Sequence, residues 1–172
     1  LRVTDLLGRE QLVTQSYYVS SRLLKEGLHD FGYQAGAERR DYGSRSFDYG
    51  AALATGTHSY GFTNQFTGEA HGELELDQQS LAAGGAYLLG QAGVVSGGVG
   101  VGRSSGGPGV LGELGYEYDG RRFSFGARTR YTSDNFRQVG GDEEAARVDQ
   151  LNLGLDFGEM GRLGVLGLHR DG

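Results

Sequence analysis

Apolar and polar residues alternate along most of this chain, in segments separated by short polar or glycine-containing stretches. The segment "GELGYEYDGRRFSFGARTRY", residues 112–131, alternates on both sides of an Asp-Gly pair. Asp-Gly is typical of a two-residue type I′ turn, because both turn positions need a positive φ. The pattern therefore predicts a β-hairpin that turns at Asp119-Gly120 and places Tyr118 opposite Arg121.

One face of this predicted hairpin is apolar and the other is charged. On the charged face, Glu117 lies opposite Arg122. Glu113 lies diagonal to Arg128, within reach of an ion pair. A half-buried sheet of a soluble protein and the wall of a membrane β-barrel both have two such faces, so the hairpin leaves both open. The apolar face holds Leu114, Tyr116, Tyr118, Phe123, Phe125, Ala127 and Tyr131.

Alternating segments follow one another after the first 27 residues, and no segment has a convincing helical period. Their length is close to the ~9–11 residues that a strand of a membrane barrel needs. The pattern therefore predicts an all-β fold, an antiparallel up-and-down β-barrel segment of about nine strands. The strands are predicted at 28–40, 49–62, 66–76, 79–89, 93–102, 110–118, 121–133, 148–157 and 162–169.

The connections between these segments are predicted to alternate in length. "TNQ", "GQA", "DG" and "EMG" are short, whereas 41–48, 103–109 and 134–147 are long, and a two-residue turn is expected at Asp77-Gln78. Outer-membrane barrels have short periplasmic turns and longer extracellular loops. The alternation favours such a barrel, with the short turns in the periplasm.

Composition favours a piece of a large barrel over a soluble domain. The chain has 172 residues, of which 33 are Gly and none is Cys, and only 37% are hydrophobic, which leaves little to fill a core. A net charge of −6 disfavours nucleic acid as a partner. A barrel of about eight strands is filled by its own side chains, so a wide, water-filled lumen suits the charged face better. Because the chain opens in mid-pattern, we expect a fragment.

The polar face supplies the candidate site residues, all predicted to face the lumen. His71 with Glu69 and Glu73 could offer metal ligands, since alternate strand residues share a face. A single His favours a wet lumen wall instead. The Gly-rich stretch 97–107 lacks the following helix that a phosphate loop needs, and no Ser/His/Asp set can be assembled. We expect no enzyme, no metal and no cofactor. The lumen-facing candidates are Glu69, His71, Glu73, Glu113, Glu117, Arg122, Arg128 and Arg130.

Some positions fit the pattern less cleanly. His58 falls on the apolar side of its strand, Arg121 is expected at the membrane interface, and the register of the last strand stays open. Aromatic residues gather near strand ends, as in the interfacial girdles of membrane barrels. They are Phe31, Tyr60, Phe62, Tyr87, Tyr116, Tyr118 and Tyr131.

The opening third adds a specific resemblance. "VTDLLGREQLVTQSYYVSSRLLKEGLHDFGYQAGAERRDYG" resembles the segment in which fimbrial outer-membrane ushers leave the plug domain and re-enter the barrel. Its marks are a hairpin around Asp5–Gly8, "YYVS", "LLKEGLHDFGY" and "GAERRDYG"; "GTHSYGFTNQFTGEAHGELE" also resembles the usher barrel. The resemblance implies that 1–27 ends the plug and links it to the barrel, and that 28–172 is part of the barrel.

The resemblance also implies a function. Ushers translocate and assemble pilus subunits through a barrel of the bacterial outer membrane, in contact with its lipid. They receive periplasmic chaperone–subunit complexes through domains that this sequence does not contain, so no subunit-binding residues carry over. A porin, an autotransporter-like translocator and, less favoured, a soluble β-sandwich adhesin are the alternatives.

Overall fold

The computed structural model describes residues 2–4, 10–12, 22–39, 49–137, 146–158 and 161–171, which form two antiparallel sheets. The smaller sheet pairs β1 (Arg2–Thr4) with β2 (Glu10–Leu12). The predicted turn at Asp5–Gly8 lies between these strands, outside the described residues. The division at residue 27 stays a prediction.

The larger sheet is a nine-stranded meander. Each strand pairs with its neighbours in sequence, in the order β11-β10-β9-β8-β7-β6-β5-β4-β3. This confirms the predicted all-β, up-and-down fold. Its strands are β3 (His29–Arg39), β4 (Tyr49–Thr63), β5 (Phe66–Glu75), β6 (Gln79–Leu88), β7 (Val94–Ser104), β8 (Gly107–Asp119), β9 (Phe123–Thr132), β10 (Arg147–Asp156) and β11 (Arg162–Asp171).

The two faces of this sheet differ in composition and in exposure. The face that carries Leu74, Val99 and Leu114 is apolar and open, and these side chains are 59%, 70% and 59% exposed. The opposite face carries the buried polar residues, such as Glu73 at 1% and Glu113 at 8%. Burial on the polar side alone means that the sheet curves around that side. We call the polar side the inner face and the apolar side the outer face.

The hairpin turns lie a little away from their predicted positions. Tyr118 lies opposite Phe125, not Arg121, and the Gly120 N–H donates to the carbonyl of Phe123, so Arg121 and Arg122 form the turn. Likewise Leu76-Asp77, not Asp77-Gln78, turns between β5 and β6, because Glu75 exchanges backbone hydrogen bonds with Gln78. In both hairpins the partner shifts by an even number of residues, so every residue that remains in the ladder keeps its predicted face.

The predicted long loop at 103–109 is wrong. The β7–β8 ladder continues to the pair Ser104–Gly107, and only Ser105 and Gly106 turn. Gly107 has φ +119°, a value that favours glycine, and Gly106 N–H donates to the Ser104 hydroxyl at 3.3 Å. A Gly-rich, Ser-rich stretch therefore forms a tight hairpin instead of a loop. The other two predicted long loops lie mainly outside the described residues.

The predicted three-residue turn at "GQA" is confirmed as a 3₁₀ turn, Gly90–Ala92. This turn, Asn64-Gln65, Arg121-Arg122 and the turn after Phe157 lie at one end of the sheet, which we call the short-turn end. The aromatic rings concentrate there on the outer face: His29 contacts Tyr60, Tyr60 contacts Phe62, and Phe62 stacks on Phe66. Only Tyr131, among the aromatic residues predicted near strand ends, lies towards the opposite end, which we call the far end.

The last strand pairs with β10 through Leu151–Gly167 and Leu155–Leu163. This register puts Leu163 and Val165 on the outer face and Leu166 and Leu168 on the inner face. Because both faces of this strand carry leucine, the alternation of apolar and polar residues could not fix its register. Within the described ranges, no helix is long and apolar enough to cross a membrane.

Candidate functional site

The inner face is the candidate site, because the charged side chains converge there. Its middle, on β6 and β7, carries only small residues, which leaves a trough between the longer side chains of β5 and those of β8 and β9. Glu69, for example, shares a row with Gly84, Gly98 and Glu113, so no side chain separates the two carboxylates. The small residues of the trough are Ser80, Ala82, Gly84, Ala86, Ser96, Gly98, Gly100 and Gly102.

One wall of the trough is a hydrogen-bonded chain across three strands. The Thr57 hydroxyl lies 2.7 Å from Nδ1 of His71, and Nε2 of His71 lies 3.0 Å from Oε1 of Glu73. The Ser80 hydroxyl donates to Oε2 of Glu73 at 3.2 Å. Beside it, the Ser59 hydroxyl donates to Glu69 at 2.8 Å. The chain ties β4, β5 and β6 together.

The order hydroxyl, imidazole, carboxylate is also that of a hydrolase triad, and sequence reasoning missed it because the three residues lie on two strands. His71 is only 7% exposed and Glu73 only 1%, so a substrate carbonyl has no access to the line. Both ring nitrogens of His71 have protein partners, which fixes the ring. The arrangement acts as a structural brace. Within the described ranges, no group of three or more His, Cys, Asp or Glu side chains could hold a metal ion.

The opposite wall holds a cluster of opposite charges. Arg128 Nε lies 3.4 Å from Oε1 of Glu113, as the predicted diagonal contact requires. Arg130 lies directly opposite Glu113 in the ladder and is 7% exposed. The two arginines therefore flank one buried carboxylate. A buried charge is tolerated only beside opposite charge or hydrogen-bond donors.

Glu117 keeps its predicted inner-face position but not its predicted partner, and Arg122 lies outside the ladder. Glu117 lies opposite Gly126, so its predicted pairing with Arg122 across the hairpin is wrong. Arg122 is an exposed turn residue at the short-turn end, because the ladder stops at Asp119–Ser124. Its carbonyl accepts from the Asp156 N–H at 2.9 Å. The other candidates lie on inner-face positions of their strands, and the lumen that they would face stays a prediction.

A segment that precedes the first long strand crosses the inner face at the short-turn end. Gly27 N–H donates to the carbonyl of Gly61 at 2.9 Å, and Gly61 N–H donates to that of Leu28 at 3.0 Å. Leu24 N–H donates to the hydroxyl of Thr67 at 2.8 Å. A side chain at Gly61 would collide with the backbone of Lys25, so glycine permits this crossing. The chain thus enters the sheet from its inner side.

The residues after β9 fold onto the inner face at the far end. Phe136 is 5% exposed and its ring covers Gly102, while its backbone lies against Gly109. Ser133 N–H donates to the carbonyl of Val110 at 3.0 Å, and the Ser133 hydroxyl accepts from the Val110 N–H at 2.8 Å. The trough is therefore covered at this end by the chain itself. Sequence reasoning missed this contact, since "SDNFRQ" reads as loop.

An apolar open face, a polar enclosed face and aromatic rings at one end together are the features of a wall segment of a β-barrel. The fold matches solved usher structures. It aligns with a chain of the E. coli P pilus tip assembly intermediate PapC-PapD-PapK-PapG, with a TM-score of 0.69 and 21% identity over 96% of this chain. It also aligns with the P pilus usher PapC translocation pore, with a TM-score of 0.62 and 17% identity over 85% of this chain.

These likenesses confirm the resemblance to fimbrial ushers at the level of the fold. The chain spans 22% of the length of the first matched chain and 35% of the second. By sequence, no family model and no curated relative matches it.

Proposed function

We propose that this chain forms part of the wall of an outer-membrane usher, through which pilus subunits are translocated and assembled. The observation that supports this proposal is the nine-stranded meander, with its exposed apolar outer face, that aligns with usher structures over most of its length. By the same likeness we place it in the bacterial outer membrane. We further propose that residues 1–27 end a plug and that Leu24–Leu28 carries the chain from the lumen into the barrel wall.

The size of the cargo requires many more strands than nine. A pilus subunit of about 100 residues has a radius of gyration near 13 Å, so its passage needs a lumen tens of ångströms wide. Barrels of about 16–18 strands make channels for small solutes only. The open edges of the sheet at β3 and β11 leave room for further strands on both sides.

The inner face suits passage without adhesion. In our proposal Glu69 and Glu113 with Arg128 and Arg130 keep the wall polar, and their two negative and two positive charges cancel locally, so a passing protein domain meets no large field of one sign. The Thr57–His71–Glu73–Ser80 chain braces the wall instead of contacting cargo. No step of catalysis is assigned to it.

The partners follow from the same proposal. The matched assembly contains PapD, PapK and PapG with PapC, and we extend this to chaperone–subunit complexes as partners of the intact protein, through domains other than this chain. The driving force would come from strand exchange, in which each subunit's donated strand replaces that of the chaperone. That mechanism needs no nucleotide.

The test is to narrow the barrel. Deleting the hairpin β6–β7, residues 79–104, from the intact protein leaves β5 antiparallel to β8 and removes two strands. We expect the shortened protein to insert in the membrane and to change its gel mobility on heating, as a folded barrel does. The number of surface pili should fall at least tenfold. The matched control, Asn152→Arg, changes an exposed inner-face residue, keeps the strand number and should change pilus number less than twofold.

Unchanged pilus number in cells with the shortened barrel contradicts the proposal, provided that the barrel inserts. Loss of small-solute uptake with normal pili would instead identify a porin. A protein that purifies without detergent would contradict both and favour an adhesin.

A further inference from the structure

We propose that the outer face carries a binding site for a phosphorylated membrane lipid, with Arg103 holding a phosphate and a groove across β6, β5 and β4 holding an acyl chain. We propose that this lipid comes from the outer leaflet, which lies at the far end of the sheet, where Arg103 lies. The inference rests on the membrane location proposed above but not on the passage of subunits.

The groove arises from small residues in the middle of an otherwise bulky surface. In one row of the ladder, Tyr33, Gly56, Gly72 and Leu81 lie side by side. The Tyr33 ring lies over Gly56, and Gly72 leaves the floor open between that ring and Leu81. The volume is about 860 Å³, within the ~300–1,000 Å³ typical of small-molecule sites. Its lining includes Tyr33, Ala54, Gly72, Leu81, Val101 and Arg103.

The groove is long enough for a lipid chain. From β7 to β3 it crosses four strand-to-strand spacings of about 4.8 Å, roughly 19 Å in all. Half of the hydrocarbon thickness of a bilayer is about 15 Å. An acyl chain of one leaflet therefore matches the groove in length, and it would lie oblique to the membrane normal, because the groove runs across strands that are themselves tilted by about 35–45°. The lining of the groove is mainly apolar.

Arg103 lies where the phosphate of such a lipid would lie. It is exposed, it faces outward beside Val101, and it lies opposite Gln79 at the far end of the groove. Other outward charges, three and four strands away on β10 and β11, have partners: Arg147 Nε is 2.9 Å from Asp149, and His169 Nε2 is 3.2 Å from Asp171.

By contrast, no carboxylate of the described ranges is in ion-pair distance of Arg103. A guanidinium is suited to bidentate binding of phosphate. Charge complementarity therefore points to an anionic headgroup at this end of the groove.

The opposite end of the groove offers a second polar group, which the test must distinguish. The Tyr33 hydroxyl lies 2.7 Å from Nδ1 of His58, and Nε2 of His58 lies 2.9 Å from Nδ1 of His29. These groups bond one another among the aromatic rings of the short-turn end. Their mutual hydrogen bonds leave fewer donors for an anion than the guanidinium of Arg103 offers.

The experiment measures lipid binding to the intact barrel in detergent by native mass spectrometry. The probes are purified diphosphoryl lipid A and, for the opposite leaflet, phosphatidylglycerol. Arg103→Gln should weaken lipid A binding about tenfold, the equivalent of one charge-assisted hydrogen bond. Gly72→Leu should weaken it comparably with Arg103 intact, because a Cβ there meets only ordinary contacts at 3.8 Å and the rest of the side chain fills the groove.

Arg147→Gln, which removes an outward arginine that already has a partner, is the matched control and should leave binding unchanged. Heat-modifiable migration verifies that each variant is folded. Equal lipid A binding by the wild type and by folded Arg103→Gln overturns the proposal, as does equal binding by folded Gly72→Leu. Loss of phosphatidylglycerol binding in His58→Phe, with lipid A binding unaffected by Arg103→Gln, would place the headgroup at the other end and also overturn it.

Discussion

The two faces of the nine-stranded sheet differ in both the type and the exposure of their side chains, although the same strands form both. On the outer face, leucine, valine and aromatic residues stay exposed, and Val99 is 70% accessible. On the inner face, carboxylates, arginines and hydroxyls are buried, and Glu73 is 1% accessible. A soluble protein buries its apolar face, so this inversion supports the proposal that the outer face lies against lipid.

A charge on the outer face should destabilise the barrel more than any other single change. Leu153→Arg, in the middle of β10 and 42% exposed, should make folding into lipid vesicles less favourable by roughly 2–4 kcal/mol. Its neighbour on the other face gives the control: Asn152→Arg should change that free energy by less than about 0.5 kcal/mol. Urea titrations in vesicles measure both. Equal losses would contradict the assignment of faces.

A smaller effect is expected where the chain crosses the inner face. Gly61→Ala places a Cβ against the backbone of Lys25 and should cost about 1–3 kcal/mol, since neither backbone can move freely. It should also increase protease cleavage after Lys25. Gly72→Ala, whose Cβ meets only contacts at 3.8 Å or more, should leave both stability and cleavage unchanged. Cleavage that rises equally in both variants would show that the crossing segment does not rely on Gly61.

Removing the carboxylate of Glu73 from the buried brace should lower the stability of the barrel by about 1–3 kcal/mol. Glu73→Ala leaves His71 and Ser80 without their shared acceptor and should destabilise the barrel by that amount. Glu75→Ala, on the same strand and face but less buried, should cost under about 0.5 kcal/mol. A double-mutant cycle of Glu73 with His71 should give a coupling of about 0.5–3 kcal/mol. Additive effects would mean that the two side chains do not act together.

The sidedness of the two ends can be measured without changing stability. Single cysteines at Asp77 and Ser105, in exposed turns of the far end, should react with a membrane-impermeant maleimide in intact cells. A cysteine at Gln91, in the exposed turn at the short-turn end, should react only after the outer membrane is opened. Reaction at Gln91 alone would invert the orientation.

Sequence reasoning predicted faces well and turns poorly, for one physical reason. Alternation fixes which side a residue occupies, and an even shift of register preserves that side. The hairpin at Arg121-Arg122 therefore keeps Tyr116 and Phe125 on the outer face although Asp119-Gly120 was the expected turn. The last strand shows the converse, since leucines on both faces gave the pattern nothing to distinguish.

The inner-face contacts needed information that no local pattern holds. The brace joins Thr57 to His71, which are 14 residues apart, and Phe136 reaches Gly102 and Gly109 from outside the strands. Such contacts depend on the curvature of the sheet. The diagonal contact between Glu113 and Arg128 could be predicted from the sequence, because both residues belong to one hairpin.

The meander order has a consequence for how the wall can form. Every strand of the large sheet pairs only with strands that precede or follow it directly in sequence. Each pairing is thus a hairpin closure, whose entropy cost rises only slowly with loop length, and a topology of such local pairings folds fast. The edge formed by the most recently added strand of an incomplete sheet is a template for the next strand. The sheet can therefore grow by one strand at a time, in the order of the strands along the sequence.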